Sequence, residues 1–274
     1  MESGAIQTRG AHYGDYDDTL VWRKIDAERR LVHLTADTES AYAPVHVVRN
    51  IRTLLRLDVA RSDPSAMFLH AGMVAWHGHG IAVPGDKRSG KTSTVLAAAA
   101  AGADFVSNDD LSLHHGGDGR SGHGWPRSVS VRLDTLAPLG LTLPTATSHP
   151  SNHHRTDAHL LMPHEIARMV GCRVTPRAPL RAVLFPSFTD DDAFALRRLD
   201  VSEAARRIQA NLLTPPVKDS ELTARFDAPS EEQLAERARN LAAEVPAFAL
   251  RQSLTGLGAR ERLADLLDEV VAAR

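Results

Sequence analysis

Cysteine is almost missing: Cys172 is the only one in 274 residues. A single thiol closes no internal disulfide and cannot build a cysteine-ligated zinc site. Long apolar runs are missing too, and none approaches the ~20 residues that a membrane-crossing helix needs. The opening Met1-Glu2-Ser3-Gly4 has no basic stretch followed by an apolar one, so no secretion signal is expected. A lone thiol suits a reducing compartment, and the expectation is a cytoplasmic protein with no membrane partner. Excess charge of either sign is also absent. Lysine plus arginine number 32, aspartate plus glutamate 34, a net of −2. Such a chain has no global field with which to hold nucleic acid, which leaves only local basic patches for anions. There is no internal repeat.

What is present is an ordinary globular composition, 43% hydrophobic and 24% charged. The length allows one large domain or two small ones. The expected layout is N-terminal strands and a helix over 1–60, packed on a core of 61–274, with no clean linker between them. Short strands are expected at 20–25 and 31–34. A helix is expected over 45–58, its apolar residues at helical spacing and Arg49, Arg52 and Arg56 on other faces. Residues 67–76 read as a strand, 77–80 as a hairpin turn and 81–84 as a second, buried strand. An alanine-rich helix follows over 91–101, closed by Gly102. A third strand over 105–107 ends in Asn108-Asp109-Asp110. Beyond it, 114–124 reads as a turn or mobile loop, 129–133 as a strand, 142–157 as a polar loop and 180–185 as a strand. Helices are expected over 202–213, 230–245 and 259–273.

The segment between the second strand and the alanine helix carries the chemistry. Gly85-Asp86-Lys87-Arg88-Ser89-Gly90-Lys91-Thr92 fits G-x-x-x-x-G-K-[ST], and Ser93 follows it into the helix. Glycines let backbone N–H groups approach phosphate oxygens without a Cβ in the way. A helix starting after Gly90 aims its positive dipole end at the same anion. Lys91 is then placed for the β- and γ-phosphates, and the Thr92 hydroxyl for magnesium. The four fixed positions recur by chance in roughly one chain per hundred of this size. The flanking strand and helix supply the structural context that the motif needs.

A nucleotide site also needs carboxylates, one to help hold magnesium and, in a kinase, one to take the proton of an acceptor hydroxyl. Asp109 and Asp110 stand at the end of the third strand, separated from Lys91 by one helix and one turn. That interval lets the third strand run beside the second, with its C-terminal end at the phosphate edge. Strand alternation sends the two aspartates to opposite faces, so one of them faces the phosphates.

This order of elements resembles HPr kinase/phosphorylase and its smaller relatives found with peptide and other biosynthetic gene sets. Leu69-His70-Ala71-Gly72-Met73-Val74 is similar to the family's His-Gly-Val-Leu-Val segment, and Val106-Ser107-Asn108-Asp109-Asp110 to its Val-Ala-Asp-Asp. The similarity covers about residues 66–113. It implies an α/β fold of the HPr kinase/phosphoenolpyruvate carboxykinase type, a mixed β-sheet with flanking helices, using ATP and Mg2+. It implies a phosphotransferase whose acceptor is a hydroxyl: a serine or threonine of a peptide or carrier protein, or a small hydroxy metabolite. Relatives often assemble, so a homo-oligomer falls within the expectation. Lys91 and Thr92 would hold phosphates and magnesium, His70 would sit beside the acids, and Asp109 would be the acceptor-side carboxylate. Counted without a gap from Lys91, the family's two aspartates fall on Asn108 and Asp109; shifted by one, they fall on Asp109 and Asp110, both then candidates for magnesium. Asp109 belongs to both alignments. A nucleotide-hydrolysing switch and an ATP-binding protein with a decayed site are the alternatives, the latter hinted at by Asn108.

Other candidates stand outside this block. Arg88 lies inside the loop, and Arg127 and Arg132 follow the segment over 114–124 as substrate or nucleotide contacts. Fourteen histidines invite a metal reading, but His77, His79, His114, His115, His153, His154, His159 and His164 form no H-E-x-x-H and read as solvated loop residues. Asp190-Asp191-Asp192 reads as a solvated turn.

Overall fold

The computed structural model describes residues 6–9, 20–26, 31–36, 43–117, 119–144, 149–152, 155–189, 194–217, 223 and 226–273. The acidic turn expected at 190–192 and the histidines 153 and 154 lie outside the described residues. The fold is mixed α/β, a mostly antiparallel sheet with flanking helices. Its centre is the hairpin of β4 (Met67–Trp76) and β5 (His79–Pro84), joined by a tighter turn than expected, His77–Gly78 alone. Strand β5 continues through the loop 85–90 into α2 (Lys91–Ala100). Strand β12 (Arg177–Phe188) lies parallel to β5, and β14 (Ala247–Gln252) parallel to β12. The antiparallel edge beyond is β13 (Ala195–Arg198).

Alternation along these strands sorts the core into two layers. Val74, Trp76, Ile81, Val83 and Leu184 point to one side, where α2, α4 (Pro163–Val170) and α8 (Arg260–Ala272) pack through Leu96, Ile166 and Leu267. Met73, Ala75, Ala82 and Val183 point to the other, against Ile208 of α5 (Val201–Ala210) and Leu241 of α6 (Glu231–Glu244). Each fully buried Leu or Ile contributes about 1.5–3 kcal/mol relative to exposure. The alanines Ala97, Ala98 and Ala99 are each 1% exposed, so the helix behind the loop lies close on its sheet.

Three expectations are corrected. Strand β6 (Asp104–Ser107) does not run beside β5; it pairs antiparallel with β4, which separates the two. Its C-terminal end still reaches the loop edge, because two antiparallel steps restore the direction of β5. The segment 114–124 is not a loop. It forms the hairpin of β7 (Asp110–Gly116) and β8 (Gly119–Gly124), and β8 also pairs with β12. Its strand pattern is hidden because glycines occupy inward positions: a Cβ on Gly122 would meet Met73 Sδ at 2.3 Å. Within 142–157, the strand β10 (His149–Asn152) pairs with β11 (Arg155–Leu161).

The N-terminal strands β1 (Ile6–Arg9), β2 (Leu20–Asp26) and β3 (Leu31–Ala36) form a separate antiparallel sheet. The helix after them, α1 (Ala43–Ser62), is longer than expected and inverted in polarity. Arg49, Arg52 and Arg56 are buried, while Ile51 and Leu55 are 45% and 50% exposed. Among the described residues no helix is long and apolar enough to cross a membrane.

Candidate functional site

Gly90 ends the loop in the left-handed region, with φ 101° and ψ 9°. A Cβ there would lie 2.4 Å from Gln252 Nε2 and 3.1 Å from the Phe188 ring. No side chain caps α2, so the first N–H groups of the helix have no intrahelical acceptor and gather the positive end of its dipole. Lys91 is buried and folds its ammonium into the mouth of the loop, donating to Gly85 O at 2.6 Å and Asp86 O at 3.1 Å. Burial pulls its pKa below the usual lysine value; the Asp109 and Asp86 carboxylates oppose this, and Arg127 adds to it. Gly90→Ala is expected to lower stability by about 1–2 kcal/mol from the left-handed backbone alone. Thermal unfolding would read this as a Tm roughly 2–8 °C lower.

Thr92 follows Lys91, and its Oγ1 accepts from Asn108 Nδ2 at 3.2 Å. Asn108 and Asp109 form the short break between β6 and β7, braced by Ser107 Oγ donating to Asp110 O at 2.6 Å. Asn108 Oδ1 is buried without a hydrogen-bond partner, and so is Ser89 Oγ inside the loop. Orphaned buried oxygens are costly. Asn108 is the one that bonds Thr92, through its Nδ2. The oxygen-only donors Thr92 Oγ1 and Asn108 Oδ1 fit a hard cation such as magnesium, which takes few protein ligands and completes its shell from phosphate and water.

The two aspartates differ in burial and partners. Asp110 turns inward and is 4% exposed. Arg56 Nη1 donates to its Oδ1 at 2.7 Å, while Arg52 Nη1 and Arg127 Nη1 approach its Oδ2 at 3.1 and 3.3 Å. Burial opposes ionisation of Asp110, but Arg127, Arg56 and Arg52 outweigh it and hold the carboxyl far below the usual range. Both oxygens of Asp110, expected as a magnesium ligand, serve guanidinium groups. Asp109 has its side chain 24% exposed and 3.6 Å from Arg127 Nη2. Its charge acts on both Lys91 and His70.

His70 lies opposite Asp110 in the β4–β7 pairing, and its backbone N–H donates to Asn211 O at 2.9 Å. Burial lowers its pKa first, Lys91 and Arg127 push the same way, and Asp109 and Asp110 oppose them. These effects together favour the neutral ring. Lys91, His70, Asp109, Asp110 and Arg127 thus share one electrostatic neighbourhood, with Thr92 and Asn108 at its side. Asp86, Lys87 and Arg88 are exposed on the loop, and Ser93 is buried in the first turn of α2. Arg132 stands apart, paired with Asp134 at 2.6 Å and Asp157 at 3.2 Å.

His114 contacts Ser112 and Asp63, His123 contacts Ser121, and His77 lies 3.4 Å from Asp268. Among the described residues no group of three or more His, Cys, Asp or Glu side chains is placed to hold a metal ion. A cavity of about 100 Å³ opens beside Phe68, lined by Met67, Leu212, Leu213, Pro216 and Phe226. Thr214, Asp227 and Arg237 also line it, but none of the loop residues 85–92 does, and the charged cluster beside that loop is the candidate site.

Sequence reasoning missed Arg52 and Arg56, which come from a helix 54 or more residues before Asp110. The signal was their spacing: positions 49, 52 and 56 fall on one helical face. It also missed Gln252, fully buried at the end of β14, whose Oε1 accepts from Thr94 Oγ1 at 3.0 Å behind the loop.

No known protein-family model matches this chain, and no curated protein matches it. Among solved structures, the chain is similar to the HPr(Ser) kinase/phosphatase from Coxiella burnetii. The identity is 13% and the TM-score 0.35, over 75% of this chain and 88% of that one.

Proposed function

We propose that this protein is an ATP-dependent kinase that transfers the γ-phosphoryl group to a hydroxyl, on a peptide, a carrier protein or a small hydroxy metabolite. The observation that carries this reading is the position of Lys91. Its ammonium sits in the mouth of a glycine-bounded loop at an uncapped helix start, within the electrostatic reach of Asp109 and His70.

The loop 85–90 and the first turn of α2 present N–H donors to a triphosphate. Lys91 exchanges its two carbonyl partners for phosphate oxygens, which bring the negative charge that a buried ammonium lacks. Thr92 and Asn108 would hold magnesium. Magnesium, when bound, draws negative charge from the β- and γ-phosphates and orients them for in-line transfer. Asp109 accepts the proton of the acceptor hydroxyl as its oxygen bonds to the γ-phosphorus and the bond to the departing ADP breaks. His70, within electrostatic reach of Asp109, is available to take that proton onward. Arg127 spans Asp109 and Asp110 and faces the charge that spreads over the transferring group.

Lys91→Ala is expected to reduce phosphoryl transfer by about 10²-fold or more. Incubation with labelled ATP and a panel of peptides and hydroxy compounds, read by mass, checks this. A Lys91→Ala protein that transfers at the wild-type rate would overturn the reading. Label released only to water, with every acceptor left unmodified, would replace it with nucleotide hydrolysis.

A further inference from the structure

The face of α1 that meets the site is built against ordinary economy. A helix with Ile51 and Leu55 available turns these outward and buries Arg52 at 7% exposure and Arg56 at 3%. Burying guanidinium groups is costly unless each donor finds an acceptor. Arg56 finds one in Asp110 Oδ1. Arg52 does not. Its 3.1 Å approach to Asp110 Oδ2 is an ion pair outside hydrogen-bond geometry, and that oxygen is shared with Arg127 at 3.3 Å. Both Nε and Nη1 of Arg52 are shielded from solvent with no hydrogen-bond partner. Burial lowers the Arg52 pKa to about 10; Asp110 opposes this, and Arg127, Arg56 and Arg49 add to it. The Asp110 carboxylate does not satisfy the Arg52 guanidinium.

We propose that Arg52 and Arg127 form an oxyanion subsite on the acceptor side of the candidate site, so that the hydroxyl compound it takes carries a carboxylate or phosphate group. Three observations place this subsite. Arg52 has two buried donors without a hydrogen bond, Nε and the ion-paired Nη1, on a side chain that is more than nine-tenths buried. Arg127, half-buried, reaches from Asp110 to Asp109 at 3.6 Å and so joins the cluster to the acceptor-side carboxylate. His70 lies across from Asp110 in the strand pairing, so the subsite borders the reacting groups rather than the far end of the loop. The planar fork of arginine matches carboxylate and phosphate oxygens in pairs. The assignment to the acceptor, though not the anion binding itself, rests on the kinase reading.

Calorimetric titration of the full chain with inorganic phosphate, at ionic strength matched with chloride, tests this. The Lys91→Ala background weakens phosphate binding in the loop. In that background phosphate is expected to bind still, and both Arg52→Gln and Arg127→Gln are expected to weaken it at least tenfold. Arg127→Gln decides the question if Arg52→Gln fails to fold. Phosphate affinity unchanged by Arg127→Gln, or no phosphate binding at all in the Lys91→Ala protein, would overturn the proposal. A second titration, on the wild-type chain with magnesium and a saturating non-hydrolysable ATP analogue, separates the two sources of the anion. Retained phosphate binding supports an acceptor group; displaced phosphate assigns the arginines to the nucleotide's own terminal phosphate and overturns the acceptor assignment. Phosphate binding without any affinity for the analogue would leave the oxyanion site standing and remove the kinase reading.

Discussion

Asp109→Asn is expected to leave the fold intact and to cut phosphoryl transfer by about 10²–10⁴-fold, the range that a positioned general base supplies. The substitution keeps size and shape and removes one charge from a side chain that is 24% exposed. Its ion pair with Arg127 spans 3.6 Å and is partly solvated, so its loss costs about 1 kcal/mol or less. Asparagine still receives a hydrogen bond from an acceptor hydroxyl, but it cannot carry the proton away. The loss should therefore fall on kcat, with the affinity for ATP nearly unchanged, because the phosphates are held by the loop and Lys91. Steady-state transfer rates paired with calorimetric ATP binding separate the two. A variant with unchanged kcat would remove Asp109 from the chemistry. A variant that loses ATP binding and kcat together would move Asp109 to the phosphate side.

The parts of this site that could be read from sequence are those that local sequence builds. The strand, glycine-bounded loop and helix over 81–100 are contiguous, and their residue types dictate the turn, the uncapped helix start and the lysine at its mouth. The choice between Asn108/Asp109 and Asp109/Asp110 stayed open because spacing does not reveal which side chain meets an opposing partner. The three residues differ in such partners: Asn108 bonds Thr92, Arg127 lies 3.6 Å from Asp109, and Arg56, Arg52 and Arg127 converge on Asp110. Arg52 and Arg56 reach Asp110 from another element, so periodicity showed them only as a polar stripe and placed them away from the core. Strand β6 was misplaced for a related reason. A single helix between two strands allows a neighbour or a next-but-one neighbour, and only the long β4, pairing with β5, β6 and β7 together, decides between them. Strand β14 escaped because alanine has low strand propensity; burial between β12 and β13 makes it a strand.

Asp110→Ala is expected to be the most destabilising single change at the site, by about 3–5 kcal/mol, because it strips the carboxylate from buried guanidinium groups. The sign with pH follows from linkage. The Asp110 carboxyl is held well below its usual value in the folded protein by Arg127, Arg56 and Arg52, against the opposing effect of burial. The unfolded chain titrates near ~3.9, so the contribution of Asp110 is complete above that value. It fades as pH falls below ~4 toward the lower folded-state value, where the folded protein also takes up the proton. Urea unfolding should therefore show a gap between wild type and Asp110→Ala that is constant from neutral pH down to about pH 5 and narrows below about pH 4. A gap that does not change with acid would mean that Asp110 contributes packing rather than charge. Added phosphate sharpens the comparison: an anion that takes the place of the missing carboxylate should recover part of the lost stability, and chloride at equal ionic strength should not. Recovery of that kind would show that guanidinium groups held by one aspartate have the geometry to hold a ligand in its place.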